Sequence, residues 1–362
     1  MKNALAALVV AFSLLGCAQA PTRAPSGGFQ VDTSWPKPLP NNWILGQVAG
    51  IAIDARDHVW IIQRPKTLFD EEKGAAVNPP RAKCCVPAPA VLEFDTDGSV
   101  LQAWGGPGQG YQWPENEHGI YVDPRGDVWI GGNDPKDNQI LKFTPDGKFL
   151  MQIGHAGTSE GSNSRTQLGR PAHMQIDAQA NELYVADGYG NKRVIVLDAA
   201  TGAYKRHWGA YGKPPSDEKL PVHEPQSPQF ANPVHCVRLS KDGLVYVCDR
   251  ANNRVQVFRK DGTFVKQFVF EERTLGSGSA WDLVLSTDPE QKYFYLADGT
   301  NDEVRTVERG SGKVVASFGR PGRYAGEFLY VHNIGIDSRG NLYTSEVMSG
   351  KRVQKFRPSG DR

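Results

Sequence analysis

The fold is decided by the segment from Arg170 to Phe258, which ends on HCVRLSKDGLVYVCDRANNRVQVF at residues 235–258. A histidine enters a short apolar strand, an Asp-Gly turn follows, and a second apolar strand leads into a polar cluster and a third strand. Related copies of this frame begin at His118, His173 and His332. One short frame that recurs along a chain predicts a repeat architecture.

The core of the frame, two apolar strands around an Asp/Gly-rich turn, occurs six times. The copies start at Ile51, Ile120, Met174, Val237, Leu283 and Ile334. A third strand, and usually a fourth, follows each of the first five copies. Short strands separated by tight turns are typical of antiparallel sheets, and six four-stranded units predict an all-β, six-bladed β-propeller.

The sixth copy ends after its third strand, RVQKFRP at residues 352–358. We expect Gly28–Asp32 to supply its outer strand, because pairing both ends of the chain in one sheet removes exposed sheet edges. The propeller is therefore assigned to residues 29–362. Insertions at residues 66–91 and 154–169 lie between its strands, and loops on a rigid scaffold often carry binding residues.

Residues 1–17 predict a signal peptide, because Lys2 precedes an apolar run that ends on the lipobox-like string LLGC at residues 14–17. Cleavage before Cys17 would give an exported lipoprotein on the periplasmic side or cell surface, held to the membrane only by lipid on Cys17. Residues 18–28 would then be a flexible tether. Cleavage after Ala20 competes with this prediction and would give a secreted protein. The formal net charge of +1 and the lack of a basic tract argue against a nucleic-acid partner.

Cys236 and Cys248 lie symmetrically about the turn residue Asp242. They should face each other across a hairpin, either as a disulfide, which an exported compartment allows, or as two small buried thiols. Cys84 and Cys85 lie in a proline-rich insertion, and the sequence leaves their oxidation state open.

Residues that enter the innermost strands should form a ring at one mouth of the central channel. That position holds, blade by blade, Ala49, His118, His173, His235, Trp281 and His332. Blades 2, 4 and 6 are about 120° apart in a six-bladed propeller, so their three histidines can converge on the axis. A lone histidine is more often a packed core residue, but three imidazoles with a free fourth position are the usual ligands of catalytic zinc. We therefore predict Zn²⁺ here, with His173 as an additional site residue.

The second strands lead to loops at the same mouth, where Arg64, Tyr189 and Arg250 stand. A guanidinium offers a planar fork for a substrate carboxylate, and a tyrosine near a divalent cation can act as a general base. Asp187 and Asp249 share these loops, but such strings recur in repeats as turn and salt-bridge devices. A structural role is the better prediction for both aspartates.

These residues resemble a known family. The repeats look like NHL repeats, and nearly the whole expected mature chain resembles the lyase domain of peptidylglycine α-amidating enzymes, the peptidyl-α-hydroxyglycine α-amidating lyases. The resemblance is carried by AGIAIDARDHVWIIQR (49–64), EHGIYVDPRGDVWI (117–130), ADGYGNKRVIVLDA (186–199), NPVHCVRL (232–239), CDRANNRVQVF (248–258) and VHNIGID (331–337).

The resemblance implies a zinc-dependent lyase that cleaves the C–N bond of an α-hydroxyglycine to give an amide and glyoxylate. The zinc ligands that it implies are His118, His235 and His332, and the catalytic residues are Tyr189, Arg64 and Arg250. The family has an aspartate, associated with structural calcium, where this chain has Asn333, which weakens the expectation of Ca²⁺. His173 replaces a residue that is usually acidic in the family. The expected partner is a small molecule or peptide with a free carboxylate.

Two other function classes stay open. A metal-dependent lactonase or esterase-like hydrolase would use the same fold, but such enzymes usually surround the metal with carboxylate and amide oxygens. A non-catalytic propeller that binds or scaffolds other molecules outside the cytoplasm would also fit, since a fold alone does not fix a function.

Overall fold

The computed structural model describes residues 28–360, and the fold within them is all-β, as predicted. The predicted signal peptide, Cys17, residues 18–27 of the tether and residues 361–362 lie outside the described residues. Within residues 28–360, the helices lack the length and apolar character of a membrane span.

The strands of residues 28–360 are, in chain order, β1 (Phe29–Val31), β2 (Trp43–Ile44), β3 (Gln47–Ile53), β4 (Val59–Arg64), β5 (Val86–Pro87), β6 (Val91–Phe94), β7 (Val100–Trp104), β8 (Glu117–Val122), β9 (Val128–Gly132), β10 (Gln139–Phe143), β11 (Phe149–Gly154), β12 (Pro171–Asp177), β13 (Glu182–Asp187), β14 (Arg193–Asp198), β15 (Tyr204–Trp208), β16 (Val234–Leu239), β17 (Leu244–Asp249), β18 (Arg254–Arg259), β19 (Phe264–Val269), β20 (Asp282–Leu285), β21 (Tyr293–Asp298), β22 (Glu303–Glu308), β23 (Val314–Phe318), β24 (Val331–Ile336), β25 (Leu342–Glu346) and β26 (Val353–Pro358). Short 3-10 helices occupy Pro40–Asn42, Pro65–Thr67, Ala210–Gly212 and Arg250–Asn252.

Six antiparallel four-stranded sheets form the blades, which confirms the predicted six-bladed propeller. Blades 1 to 5 follow chain order as β3-β4-β6-β7, β8-β9-β10-β11, β12-β13-β14-β15, β16-β17-β18-β19 and β20-β21-β22-β23. The first strands of neighbouring blades contact one another around the central channel. Two short strands, β2 and β5, form a separate parallel pair beside blade 1.

Blade 6 is closed by the N-terminal strand, as the sequence predicted. Its order is β24-β25-β26-β1, and β1 pairs antiparallel with β26 from Phe29 opposite Pro358 to Val31 opposite Phe356. The Phe29 ring packs edge-on against Tyr295 of blade 5, with 5.3 Å between ring centroids. Both ends of the propeller therefore meet in one sheet, and one of them is also packed against the next blade.

The hydrophobic core is divided into slabs, each between two neighbouring blades. Tyr184 and Val196 of blade 3, for example, pack with Val237 and Phe258 of blade 4. The same arrangement repeats around the molecule, and the second and third strands of most blades are buried along almost their whole length. Because the apolar side chains are buried between the blades, residues that line the central channel can be polar without loss of hydrophobic core.

Two cysteine pairs are joined as disulfides. Cys236 and Cys248 lie opposite each other in the register of β16 and β17 and are bonded, the first of the two arrangements that the sequence allowed. The neighbours Cys84 and Cys85 are also bonded to each other, in the insertion of blade 1.

Candidate metal centre

A β-bulge near the start of the first strand sets one residue out of the ladder. In blade 4 the register shifts between Val234 and Cys236, which leaves His235 as the extra residue. His332 in blade 6 is set out in the same way, and in blade 2 the register shifts between Glu117 and Ile120, a span that contains His118. A bulge bends its strand and re-aims a side chain, and bulges recur beside active sites. Here they account for three histidines that leave their sheets at equivalent points.

Blade 3 has the same bulge, but its histidine is not the extra residue. The register shifts between Pro171 and His173, so Ala172 is set out and His173 pairs with Ala186. The predicted ring position of His173 is therefore wrong by one residue, and Ala172 occupies it. His173 is not among the histidines that converge, although it is buried in the same part of the channel wall.

The three bulge histidines converge on the channel axis. The imidazole centroids of His118, His235 and His332 are 4.8–5.1 Å apart. One potential ligand nitrogen from each lies within 4.8 Å of the other two, and all three side chains are buried. Residues from blades 2, 4 and 6 thus form one compact group, as the sequence predicted from their spacing.

Nδ1 of each of the three imidazoles lies at hydrogen-bond distance from an oxygen acceptor. Nδ1 of His118 lies 2.8 Å from the carbonyl oxygen of Ala172, and Nδ1 of His235 lies 2.6 Å from that of Trp281. Nδ1 of His332 lies 2.7 Å from Oδ1 of Asn333. A carbonyl or amide oxygen can only accept, so each Nδ1 carries the proton and each Nε2 is left with a lone pair.

Burial keeps the imidazoles neutral. It lowers the pKa of His118 and of His235 well below the usual range; the neighbouring His332 and Arg250 lower both further, and Arg64 also lowers the pKa of His118. Burial and the same two arginines lower the pKa of His332 to about 3, against acceptors on Asn333 and Ala49 that oppose the shift. A neutral imidazole with a fixed Nδ1 proton is the form that ligates a metal through Nε2.

These residues fit a zinc ion. Nε2 of His235 is buried and has no hydrogen-bond partner in the described part of the chain, an arrangement that costs free energy unless a ligand is bound there. Three nitrogen donors, each with its second nitrogen bound to an oxygen acceptor, match the donor set and the outer hydrogen bonds of catalytic zinc sites.

Tyr189 and Arg250 lie against the same group. The Tyr189 hydroxyl is 2.9 Å from Nε2 of His118, and Nη1 of Arg250 donates to that hydroxyl at 3.2 Å. The Arg250 guanidinium lies over the Trp281 ring, 4.4 Å from its centroid, and Nε donates to the carbonyl oxygen of Ser277. Its position is therefore fixed from two sides while Nη2 makes no hydrogen bond within residues 28–360.

Arg64 approaches from blade 1 and is almost fully buried. It donates to the backbone oxygen of Glu117, to Oε1 of Gln47 and to Oδ1 of Asn133. Within residues 28–360 neither Arg64 nor Arg250 forms an ion pair. Two guanidinium charges without a carboxylate, beside neutral imidazoles, make the mouth of the channel electropositive and suited to an anionic ligand.

The channel below the imidazoles does not fit a calcium ion, which takes about six to eight oxygen ligands. The carboxylate of Asp282 is buried there, but the guanidinium of Arg238 already binds it at 2.7 Å. Asn333 beside it is neutral and donates Nδ2 to the same carboxylate at 2.9 Å. His173 faces this pair, and its pKa is lowered to about 3 by burial and by the charge of Arg238.

Asp187 and Asp249 have the structural role that the sequence predicted. Each is fully buried and pairs with an arginine of the following strand, Arg193 at 2.8 Å and Arg254 at 2.7 Å. Neither aspartate points into the group of three histidines. A second group, Asp54, His58 and Glu93, also brings ligand atoms together, but the Arg56 guanidinium already binds both of its carboxylates, at 2.9 Å each.

Sequence reasoning did not single out Arg238 and Asp282. The available signal was a charged residue in an otherwise apolar first strand. It occurs in CVRL at residues 236–239 and in WDLVL at residues 281–285. Such residues must find a partner inside the channel, because a buried charge without one is costly.

Comparisons with known proteins bear on the fold and on the resemblance. The family model described as NHL repeat matches residues 234–258. The chain is 26% identical over 340 residues, 91% of its length, to "Peptidyl-glycine alpha-amidating monooxygenase B" of Xenopus laevis, and spans 35% of that protein. It is 23% identical to "Probable peptidyl-alpha-hydroxyglycine alpha-amidating lyase pgal-1" of Caenorhabditis elegans, over 84% of this chain and 80% of that one.

Another relative has a name that states no activity. "NHL repeat-containing protein 3" of Mus musculus is 26% identical over 91% of this chain and 84% of that protein. Among solved structures, the β-propeller domain of Doa1 superposes with a TM-score of 0.52 over 92% of this chain and 98% of that one, at 13% identity. The predicted resemblance to NHL-repeat propellers and amidating lyases is thus confirmed, and the solved structure supports the fold alone.

Proposed function

We propose that this protein is a zinc-dependent carbon–nitrogen lyase that converts an α-hydroxyglycine-type carbinolamide to an amide and glyoxylate. The observation that carries the proposal is the convergence of three buried imidazoles, one tyrosine hydroxyl and two arginines that form no ion pair within residues 28–360, at one mouth of the channel. The similarity to relatives named as amidating lyases supports the reaction class.

The substrate class follows from charge. An α-hydroxyglycine carries a free carboxylate, and within residues 28–360 the guanidiniums of Arg64 and Arg250 lie near the imidazoles without a carboxylate partner. Arg250 has Nη2 free to donate, and a guanidinium binds a carboxylate with two parallel hydrogen bonds. Because Arg64 is already held by three oxygen acceptors, it would bind with little loss of side-chain entropy.

The chemistry divides between the metal ligands and Tyr189. Zinc held by His118, His235 and His332 would supply Lewis acidity toward the hydroxyl oxygen of the substrate. Tyr189 accepts the proton of that hydroxyl; the C–N bond breaks as the C=O bond of glyoxylate forms, and the amide nitrogen gains a proton. One proton leaves oxygen and one reaches nitrogen, so the step consumes no water and no redox partner. Arg250, 3.2 Å from the Tyr189 oxygen, stabilises the negative charge that this oxygen must carry before it accepts the proton.

The reaction is tested with a synthetic N-acyl-α-hydroxyglycine and the zinc-loaded protein. We expect glyoxylate and the primary amide in equal molar amounts, formed faster than in buffer that contains the same zinc. Breakdown at the buffer rate would contradict the proposal. An aryl ester or lactone assayed in parallel addresses the hydrolase alternative, which predicts a carboxylic acid product and consumption of water.

A non-catalytic binding propeller is the second candidate, because a relative of similar length has a name without an activity. It predicts that replacing His118, His235 and His332 together by alanine leaves the binding of its partner intact. The lyase proposal predicts that the same triple variant loses zinc and activity together.

Export is proposed as well. The bonded pairs Cys236–Cys248 and Cys84–Cys85 support it, since disulfides persist mainly in oxidising compartments. Incorporation of a labelled fatty acid into the full-length protein, abolished by Cys17→Ser, is expected if Cys17 is lipidated. A processed but unlabelled protein would favour cleavage after Ala20.

A further inference from the structure

An ion pair between Arg238 and Asp282 lies in the central channel, below the three histidines. Arg238 comes from β16 of blade 4 and Asp282 begins β20 of blade 5. Nη2 of Arg238 lies 2.7 Å from Oδ2 of Asp282, and Nε lies 3.2 Å from Oδ1. The carboxylate is fully buried and the guanidinium is 15% exposed. The pair therefore joins two blades through a two-point contact shielded from water.

The same pair reaches a third blade. Nη2 of Arg238 also donates to the backbone oxygen of Ile334 in β24, at 3.2 Å. Asp282 accepts from the backbone nitrogen of Ile334 at 3.2 Å and from Nδ2 of Asn333 at 2.9 Å. Blades 4, 5 and 6 thus meet at one guanidinium and one carboxylate.

The hydrogen bonds of Arg238 and Asp282 continue to His332, a histidine of the candidate metal centre. Asn333 donates Nδ2 to Asp282, which fixes the orientation of its amide, and its Oδ1 then accepts from Nδ1 of His332 at 2.7 Å. Arg238, Asp282 and Asn333 form a line of contacts under His332. The backbone acceptors of His118 and His235 need no such support, because they belong to the chain itself.

We propose that Arg238 is a built-in cation that takes the place of a structural metal ion in the channel and that, through Asp282 and Asn333, it positions His332. The second half rests on the proposed role of His332 as a metal ligand; the first half does not. Arginine suits this task, because its guanidinium does not lose its proton and its planar fork matches a carboxylate.

A divalent cation would compete poorly with the Arg238 guanidinium for the Asp282 carboxylate. Asp282 already has a full positive charge at hydrogen-bond distance, and Asn333 brings no charge of its own. An incoming Ca²⁺ would meet the like charge of Arg238 and too few oxygen ligands. The protein should therefore be stable without calcium.

The built-in cation is tested by adding Ca²⁺ to metal-free protein while thermal unfolding is followed. We expect no shift of the wild-type Tm at millimolar Ca²⁺. The double variant Arg238→Met/Asn333→Asp, which removes the cation and adds a second carboxylate, should gain a Ca²⁺-dependent rise. A wild-type Tm that rises by several degrees on addition of Ca²⁺ overturns the proposal. This wild-type measurement decides the question even if the double variant does not fold.

The positioning role is tested with Co²⁺ as a spectroscopic probe in place of zinc. Arg238→Met should weaken Co²⁺ binding by about 10–100-fold, as loss of outer contacts does in other metal sites, and alter the visible spectrum. Arg309→Met removes an Arg–Asp contact of 2.8 Å outside the channel and should leave both unchanged. Unchanged affinity and spectrum in Arg238→Met overturn the positioning role. A wild type that binds no Co²⁺ overturns it together with the proposed function, and the Ca²⁺ titration still decides the first half.

Discussion

The hydroxyl oxygen of Tyr189 contacts both the histidine group and the arginines of the candidate site. Its hydroxyl is 2.9 Å from a histidine nitrogen on one side and 3.2 Å from an arginine nitrogen on the other. The guanidinium of Arg170 lies 5.7 Å from the Tyr189 ring centroid and adds a third positive neighbour. The residue is thus placed between the metal ligands and the cations, where a proton acceptor for the substrate hydroxyl is needed.

Removal of that oxygen gives the first prediction. Tyr189→Phe keeps the ring and should lower kcat by about 10²–10⁴-fold, the usual contribution of a general base, while zinc content stays unchanged. Steady-state kinetics with the α-hydroxyglycine substrate measure the effect. Tyr324→Phe, at a tyrosine that is 81% exposed, is the matched control. A Tyr189→Phe enzyme with nearly full kcat would show that another group is the base.

His173 gives a prediction about acid stability. Burial lowers its pKa to about 3, whereas an unfolded chain binds a proton near pH 6.5. Between these values the unfolded state holds more protons, so the free energy of unfolding falls as the pH falls, by about 1.4 kcal/mol per pH unit for one proton. In His173→Leu this contribution is absent, and urea unfolding of metal-free protein at pH 7, 6, 5 and 4 should give a flatter curve. If the free energy of unfolding of wild type and variant falls with pH in parallel, His173 is not the group that takes up a proton on unfolding.

At this scale the sequence predicted the three converging histidines, because propeller repeats place equivalent residues at equivalent points around an axis. It misplaced His173, since a β-bulge shifts by one residue without changing the apolar pattern of the strand. It also missed the contact between Arg238 and Asp282, which are 44 residues apart and meet only when the channel closes.

Blades 3 and 4 fix their loops with the same buried Asp–Arg pair, and blade 6 uses Glu346 and Arg352 in the same way. In blade 4, Asp249 at the end of β17 binds Nε of Arg254 at the start of β18. The remaining guanidinium nitrogens donate to backbone oxygens of Pro225, Ser227 and Gln229. The device therefore ties the long connection between blades 3 and 4 to the loop that carries Arg250.

Loss of this arginine should be costly. Arg254→Met leaves Asp249 buried without its cation, which typically destabilises a protein by about 3–5 kcal/mol. Chemical denaturation of the variant measures the change in free energy of unfolding. Arg259→Met, at the exposed end of the same strand, should change stability little. Equal stability of the two variants would contradict the structural role of the pair.

The strands were predictable element by element, because each hairpin carries its Asp/Gly turn and its apolar alternation in adjacent residues. The parallel pair of β2 and β5 was not, since Trp43 and Val86 are joined across an insertion with no local signal. The opposition of Cys236 and Cys248 followed from hairpin symmetry, whereas the bond between Cys84 and Cys85 is a matter of oxidation that no pattern of strands fixes.

As a whole, the molecule is a ring that one short strand closes. Only three residues of β1 pair with β26, yet they remove the free edge of blade 6 and carry the Phe29 ring into contact with Phe318 of blade 5, at 5.2 Å between centroids. The closure was predictable from counting strands, because a sixth unit with three strands needs a fourth. The convergence of the metal centre depends on this ring, since His332 is carried by blade 6.

Deletion of the closing strand tests this dependence. A chain that starts after Asp32 should have a Tm lower by several degrees and should aggregate on heating, because the edge of β26 is exposed. A chain that starts at Gly28 keeps β1 and serves as the control. Thermal unfolding with light scattering compares the two, and identical curves would mean that β1 contributes nothing to closure.

The central claim is that the three imidazoles bind zinc at the channel axis, and metal content tests it most directly. The purified, tag-free protein without residues 1–20 is loaded with zinc, dialysed and analysed by mass spectrometry. We predict about one zinc per chain in the wild type and in His155→Ala, whose histidine is exposed and outside the channel. His235→Ala, which removes the buried nitrogen that has no other partner, should lose it. Absence of zinc from the wild type, or its retention in His235→Ala, would contradict the account.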